Sequence, residues 1–234
     1  MTMQHDRQAE FDRYSKSYDQ AVNSAISFSG LKVDFFTRAK VDYLDQLISR
    51  HFHGAAPPSI LDVGCGVGNT LSLLAAKYPR LAGVDVSSAC ICAARERMPD
   101  VDFATYDGIH LPHPDGSFDL AFAICVFHHV APVDRDPLIR DIKRVLRPGG
   151  LFAIFEHNPF NPVTLHIVKS CEFDADARLL RSKEAESLMQ DAGFKDVFSR
   201  FILTLPAAGG FLRRLDQAFS RAPFGAQYYT LGRL

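Results

Sequence analysis

Three alternate glycines, Gly64, Gly66 and Gly68, follow a short apolar run and precede a segment with apolar residues at helical spacing. This order predicts a strand, a glycine turn and a helix. Glycines let a ligand approach the backbone where a Cβ atom would clash, and the free N–H groups of a helix N-terminus favour negative charge. Asp85 ends a second apolar run 21 residues after Gly64, close to the spacing at which an acid meets ribose hydroxyls. The pattern therefore predicts a site for a ligand that carries a ribose.

The same residues also have plainer interpretations. Asp85 would serve as a helix N-cap if a helix begins near Ser87, and Asp107 would be an ordinary turn residue. The dinucleotide fingerprint is G-x-G-x-x-G/A, but here the third glycine comes one position early and Asn69 stands at the fingerprint position. This spacing argues against a nicotinamide-dependent oxidoreductase.

The rest of the pattern supplies the elements that must position these residues. Helices are predicted over residues 6–22 and 34–52, before the first strand, and over 182–192. Further strands are predicted at Leu81–Asp85, Val101–Ala104, Ser117–Cys125, Leu151–Phe155, Val197–Leu205 and Tyr228–Leu234. Because an open α/β sheet binds ligands beyond the carboxyl ends of its strands, we expect the candidate site residues to meet there.

Composition narrows the class of protein. A chain of 234 residues with a formal net charge of −1 predicts one α/β domain without a dedicated nucleic-acid groove. Its five scattered cysteines predict reduced thiols and a cytoplasmic protein, and no apolar run is long enough to predict a membrane span. No metal site is predicted, since Cys90 and Cys92 would point about 200° apart on a helix.

The pattern D-x-G-x-G-x-G from Asp62 to Gly68 resembles the first motif of class I S-adenosylmethionine-dependent methyltransferases. Other motifs of that superfamily follow in its order: Asp85, Asp107–Gly108, Phe118–Asp119 and the Leu-x-Pro-Gly-Gly of 146–150. The resemblance covers about residues 57–157 and is closest to the ubiquinone/menaquinone-biosynthesis-like branch, in which a similar His-His pair follows the fourth strand. It implies a Rossmann-like seven-stranded, mostly parallel sheet with an antiparallel last strand, helices on both faces and extra N-terminal helices.

The resemblance also implies S-adenosylmethionine as the cofactor and a single domain over 1–234. Its parts would be an N-terminal helical cap (1–56), a cofactor-binding core (57–157), an acceptor-side insertion (158–181) and C-terminal helices and strands (182–234). The residues implied for cofactor binding are Tyr18, Asp62, Gly64, Cys65, Gly66, Gly68, Asp85, Val86, Asp107, Gly108 and Cys125. In similar enzymes an acid at the place of Asp107 pairs with the adenine amino group. Tyr18 has an alternative role as a packing residue.

The implied reaction is in-line transfer of a methyl group to a small-molecule acceptor. A general base is needed only if the acceptor has a proton to lose. Four side chains near the strand ends are candidates for that catalytic role: His128, His129, Glu156 and His157.

Each candidate has an alternative role. The two adjacent histidines could cap the next helix or pack against the cofactor. Glu156, after five apolar residues, needs a ligand, water or a cationic side chain such as Arg38, or it anchors an N-terminal helix. Because neighbouring residues of a strand point to opposite faces, Glu156 and His157 are not both expected to face the cofactor.

Two other functions stay open at this point. One is a non-catalytic cofactor-binding module that regulates or scaffolds a partner, and the other is methylation of a macromolecule. The sequence makes no prediction of the oligomeric state.

Overall fold

The computed structural model describes residues 33–53, 56–171, 174, 177–205 and 216–234. The strands are β1 (Ile60–Val63), β2 (Leu81–Asp85), β3 (Asp102–Thr105), β4 (Phe118–Ile124), β5 (Leu146–His157), β6 (Lys195–Ile202) and β7 (Gln227–Arg233). The main helices are α1 (Val33–His51), α2 (Asn69–Leu74), α3 (Ser88–Arg97), α4 (Pro132–Val145), α5 (Pro162–Ser170) and α6 (Ser182–Asp191). The predicted helix over 6–22 lies outside the described residues.

All seven strands form one sheet in the order β3-β2-β1-β4-β5-β7-β6. The pairs among β1 to β5 are parallel, whereas β7 runs antiparallel to both β5 and β6. The predicted fold class is confirmed. The strand order reverses between β1 and β4, and in such sheets the ligand crevice lies beyond the carboxyl ends at this reversal.

Helices cover both faces of the sheet. Ile60 and Phe122 face a core shared with α1, α2 and α3, and the neighbouring residues Leu61 and Ala121 face a core shared with α4 and α6. All four residues of β1 are buried, which explains why its sequence is continuously apolar apart from Asp62.

The Phe-Asp motif at the start of β4 ties three strands together. The Asp119 carboxylate accepts hydrogen bonds from the Ser59 amide and from the Arg147 guanidinium, each at 2.8 Å. Leu146 pairs with Phe118 ahead of a register shift, so β5 begins five residues before the predicted Leu151. Glu156 and His157 are the last two residues of β5, at its carboxyl end.

One buried carboxylate holds the end of β6 against α1. Asp216 accepts hydrogen bonds from three consecutive amides, those of 203–205, at 3.1, 2.7 and 3.1 Å. It also accepts from the Tyr43 hydroxyl at 2.5 Å. Leu203 has a left-handed φ of 60°, and these amides point to Asp216, so β6 ends at Ile202 and not at the predicted Leu205. The sequence also predicts a helical segment over 211–221, and part of it lies outside the described residues.

None of the helices in the described ranges is long and apolar enough to cross a membrane.

Candidate active site

The glycine turn lies at the carboxyl end of β1, beside the strand-order reversal. Gly64, Gly66 and Gly68 all have left-handed φ angles, of 79°, 52° and 78°. A Cβ atom on Gly64 would lie 2.4 Å from Cγ2 of Val126, so packing as well as φ requires glycine there. A Cβ atom on Gly66 would meet nothing within 4 Å. At Gly66 the backbone therefore borders open space that a ligand could fill.

Asp85, at the end of β2, holds this turn in place. Its Oδ2 accepts a hydrogen bond from the Gly66 amide at 2.8 Å, and its Oδ1 accepts from the Ser87 amide at 2.9 Å. The N-cap of α3 is Ser87, whose hydroxyl accepts from the Cys90 amide, so the interpretation of Asp85 as that cap is wrong. A carboxylate has about four lone-pair positions, so it can accept from more donors than these two amides. Val86, next in sequence, is partly exposed.

Asp62 is buried directly below the turn. Burial raises the pKa of its carboxyl group well above the ordinary value, and the nearby Asp85 raises it further. Cys65 is also buried, and its thiol donates weakly to the Gly66 carbonyl at 3.6 Å. A buried acid of this kind becomes ionised only if a cationic group lies beside it.

Asp107 and Gly108 form the turn after β3. The Asp107 carboxylate accepts from the amides of Ile109 and His110 at 2.8 and 2.6 Å and pairs with the His110 ring at 2.7 Å. Partial burial raises the pKa of Asp107, but these hydrogen bonds lower it on balance. Gly108 has a φ of 90°. These contacts match the interpretation of Asp107 as a turn residue, and its contact with adenine stays a prediction.

Cys125 directly follows β4, which ends at Ile124, one residue before the predicted end, and Cys125 has a left-handed φ of 56°. Its sulfur lies 3.7 Å from the Lys40 ammonium and 3.9 Å from the Gln227 amide nitrogen. The same amide nitrogen is 3.3 Å from Nδ1 of His157. Burial would raise the pKa of the thiol, but the charges of Lys40 and His157 lower it to about 7. Lys40 is almost fully buried on α1, so this helix contributes a positive charge to the site.

Glu156 and His128 form a buried pair beside Cys125. The Glu156 carboxylate accepts from the His128 ring at 2.6 Å and from the His128 amide at 3.3 Å. Burial alone would lower the pKa of His128, but Glu156 and Asp174 raise it to about 10. Burial would likewise raise the pKa of Glu156, but His128 holds it below the ordinary value. The expectation of Arg38 as the partner of Glu156 is wrong, because Arg38 is exposed and pairs with Asp34.

The other two catalytic candidates adjoin this pair. The His129 and His157 rings lie 4.1 and 5.2 Å from that of His128. Burial and the charge of His128 lower the pKa of His129 to about 3. The fold therefore brings all four candidates together but gives them different states. Glu156 and His128 are ionised and bonded to each other, whereas His129 is neutral and partly exposed.

Comparison with known proteins identifies the segment that carries the glycine turn, Asp85, Asp107 and the two adjacent histidines. Residues 60–150, from β1 into β5, match the family described as "Methyltransferase domain". This segment is a methyltransferase domain. The superfamily predicted from the glycine motif is confirmed.

Relatives of this methyltransferase domain share it within longer proteins. The methyltransferase GfsG of Streptomyces halstedii is 41% identical over 43% of this chain and 38% of its own length. The 2-methyl-6-phytyl-1,4-hydroquinone methyltransferase of Synechocystis is 31% identical over 53% of this chain and 40% of its own length. The chain therefore spans about two fifths of each of these two relatives.

A solved S-adenosylmethionine-dependent methyltransferase of Thermotoga maritima matches with a TM-score of 0.67. The match covers 95% of this chain and 97% of the other, at 19% identity, and shows the fold alone.

Three residues that contact the candidate site residues Cys125 or His128 were not predicted from the sequence: Lys40, Asp174 and Gln227. A signal existed for Lys40, which occupies the apolar stripe of α1 four residues from both Phe36 and Leu44. A charged residue on a buried stripe indicates a partner in the core. No comparable local signal marked the other two. Tyr18 lies outside the described residues.

Proposed function

We propose that this protein transfers a methyl group from S-adenosylmethionine to a small-molecule acceptor. The observation that carries the proposal is the open space at Gly66, bordered by a left-handed glycine turn that Asp85 ties to β2. A dinucleotide turn has a different glycine spacing.

The chemistry of the surrounding residues fits this cofactor. Asp85 would accept from the ribose hydroxyls, and the buried Asp62 would be stabilised as an anion by a cationic group of the ligand. Lys40 would supply a positive charge for a carboxylate. We assign cofactor roles on the same basis to the turn glycines, Cys65, Val86, Asp107, Gly108 and Cys125. The sulfonium group makes the methyl carbon electrophilic, so the protein mainly supplies alignment and exclusion of water.

The acceptor side would lie around the four clustered candidates. His128 cannot act as a base near neutral pH, because it already holds its proton between two carboxylates. Glu156 is buried and bonded to it, so we assign both to positioning. His157, partly exposed beside Gln227, is then the first candidate for a base, and His129 the second.

A small-molecule acceptor is supported by relatives named for such substrates, among them a hydroquinone and trans-aconitate. The parts that match cover 40% and 38% of those proteins, so the acceptor of this chain is not carried over by name. All five cysteines are free thiols, which supports a reducing, cytoplasmic location.

Calorimetry followed by a transfer assay tests the proposal. We expect saturable binding of S-adenosylmethionine and its demethylated product, no binding of NAD, and transfer of labelled methyl groups to an extract of small metabolites. Binding of NAD alone would overturn the cofactor assignment. Equal affinity for cofactor and product, without transfer to any acceptor pool, would favour the non-catalytic module.

A further inference from the structure

Two histidines of the proposed acceptor side, His128 and His129, form a cluster with Asp174, a residue to which the proposed methyl transfer gives no catalytic role. Nε2 of His128 is 3.3 Å from Oδ1 of Asp174, and Nε2 of His129 is 3.5 Å from the same oxygen. All three atoms lie within 4.8 Å of one another. We propose that His128, His129 and Asp174 bind a divalent transition-metal ion, with zinc as the best match.

The spacing of these atoms fits the geometry of such an ion. Zinc bonds to histidine nitrogen and carboxylate oxygen are about 2.0–2.1 Å long, so neighbouring ligands of a tetrahedral ion lie about 3.3 Å apart. The two nitrogen–oxygen distances, 3.3 and 3.5 Å, are already close to this value. Only the two imidazoles would have to approach each other, by a side-chain rotation of the partly exposed His129.

The surroundings of His128 resemble the outer shell of a metal centre. Its Nδ1 is held at 2.6 Å by the fully buried Glu156, which leaves Nε2 as the nitrogen directed at Asp174. Histidines that bind metals typically donate their other ring hydrogen to a carboxylate, which fixes the ring and raises its basicity. Glu156 would do this for His128, and the ion would displace the Nε2 proton that His128 shares with Asp174, so that binding releases this proton to solvent.

The donor types and their exposure indicate which ion would bind and how it would enter. Two imidazoles and one carboxylate favour zinc or a similar ion, whereas magnesium and calcium prefer oxygen ligands. The His128 side chain is 1% exposed, but those of His129 and Asp174 are 22% and 12% exposed, so the cluster can be reached from their side. Three protein ligands leave one position open, as in catalytic zinc sites.

Titration of the metal-free protein tests the site without any methyl acceptor, so its outcome does not depend on the proposed function. We expect the chelator-treated protein to bind one Zn²⁺ per chain with a dissociation constant of about 1 µM or tighter. Bound Co²⁺ should give the visible absorption of a four-coordinate site, and excess Mg²⁺ should not displace it.

Two variants locate the binding. His129→Ala and Asp174→Asn should each weaken Zn²⁺ binding by about 30-fold or more, because each removes one of three ligands. His110→Ala is the matched control, since it removes the histidine of an exposed His–Asp pair and should leave the affinity unchanged. Thermal melts show that each variant is folded.

Absence of stoichiometric Zn²⁺ binding by the wild-type protein would overturn the proposal. So would equal affinity in the wild type and in both folded ligand variants, because the ion would then bind elsewhere. If only one of the two variants failed to fold, the other would decide between these outcomes.

Discussion

The two sides of the proposed ligand site, the cofactor side at the glycine turn and the acceptor side at the four clustered candidates, are built by different means. On the cofactor side the shape comes from the backbone, from three left-handed glycines held by main-chain bonds to β2 and by the Asp85 carboxylate. On the acceptor side it comes from side chains, with Glu156, His128 and Asp174 joined in one ionic chain. The first arrangement suits a ligand that is always the same, and the second can change with the acceptor while the sheet stays unchanged.

The largest expected effect is a loss of stability on the acceptor side, with little change in cofactor binding. Replacing Glu156 with Gln should lower the free energy of unfolding by about 3 kcal/mol, because it removes the nearer and fully buried one of the two carboxylates that pair with His128. Cofactor affinity of the folded protein should change by less than about threefold, under about 0.7 kcal/mol. Denaturant unfolding and calorimetry measure the two quantities.

Asp136→Asn provides the control for this change. Asp136 pairs with Arg140 on the exposed face of α4, where solvent screens the ion pair and its loss should hardly change stability. If Glu156→Gln were as mild as this control, the acceptor side would not be held by its buried pair.

A pair of glycine variants tests the cofactor side. Gly66→Ala and Gly116→Ala both place a Cβ atom at a left-handed φ, of 52° and 62°, where it meets no protein atom within 4 Å. Each should lose about 1 kcal/mol of stability. Only Gly66→Ala should also lose cofactor affinity, by about 30-fold, because its methyl group would occupy ligand space. Similar affinities in the two variants would remove Gly66 from the ligand site.

A smaller loss is expected at Asp85. Replacing it with Ala removes an acceptor for ribose hydroxyls, a hydrogen bond to a charged group worth about 1.5–3 kcal/mol, and also frees the Gly66 amide. Cofactor affinity should fall by at least about tenfold. Ser87→Ala, which removes only the cap of α3, should bind the cofactor normally. Unchanged affinity in folded Asp85→Ala would place the ribose contact elsewhere.

The smallest expected effect concerns Cys125, whose sulfur lies beside the Lys40 ammonium. With its pKa lowered to about 7, the Cys125 thiol is largely thiolate above neutral pH and protonated below it. Replacing Lys40 with Met should raise this pKa and slow alkylation of Cys125 at pH 7 by about fivefold, since the loss of thiolate exceeds the gain in its reactivity.

Peptide mass spectrometry would follow Cys125 separately from the exposed Cys92. Lys195→Met on β6 is a suitable control, because Lys195 is exposed. Equal rates in the wild type and Lys40→Met would show that the ammonium does not activate this thiol.

The same contrast explains what the sequence could predict. The glycine turn and the strand-end aspartates lie within short motifs, and the Gly66–Asp85 bond spans only 19 residues. Burial of the continuously apolar strands and of the apolar stripe of α1 can also be predicted from neighbouring residues in the sequence. The fold class and most elements were therefore predictable.

The acceptor side was not predictable in detail because its partners are distant along the chain. Cys125 meets Lys40 and Gln227 across 85 and 102 residues. No local pattern could choose His128 over Arg38 as the partner of Glu156, since that choice depends on how β4 and β5 align. The limits of β5 and β6 were also missed, because a register shift against β4 decides where β5 begins, and the buried Asp216 carboxylate, which no local motif indicates, decides where β6 ends.

The Asp216 carboxylate has a consequence for local opening of the molecule. By binding the amides of 203–205 together with the Tyr43 hydroxyl, it joins the end of β6 to the helix that carries Lys40. Backbone amides that share one buried acceptor lose their protection together. Amide hydrogen exchange in these three residues should therefore follow the opening of α1, so that the wall of the cleft behaves as one cooperative unit.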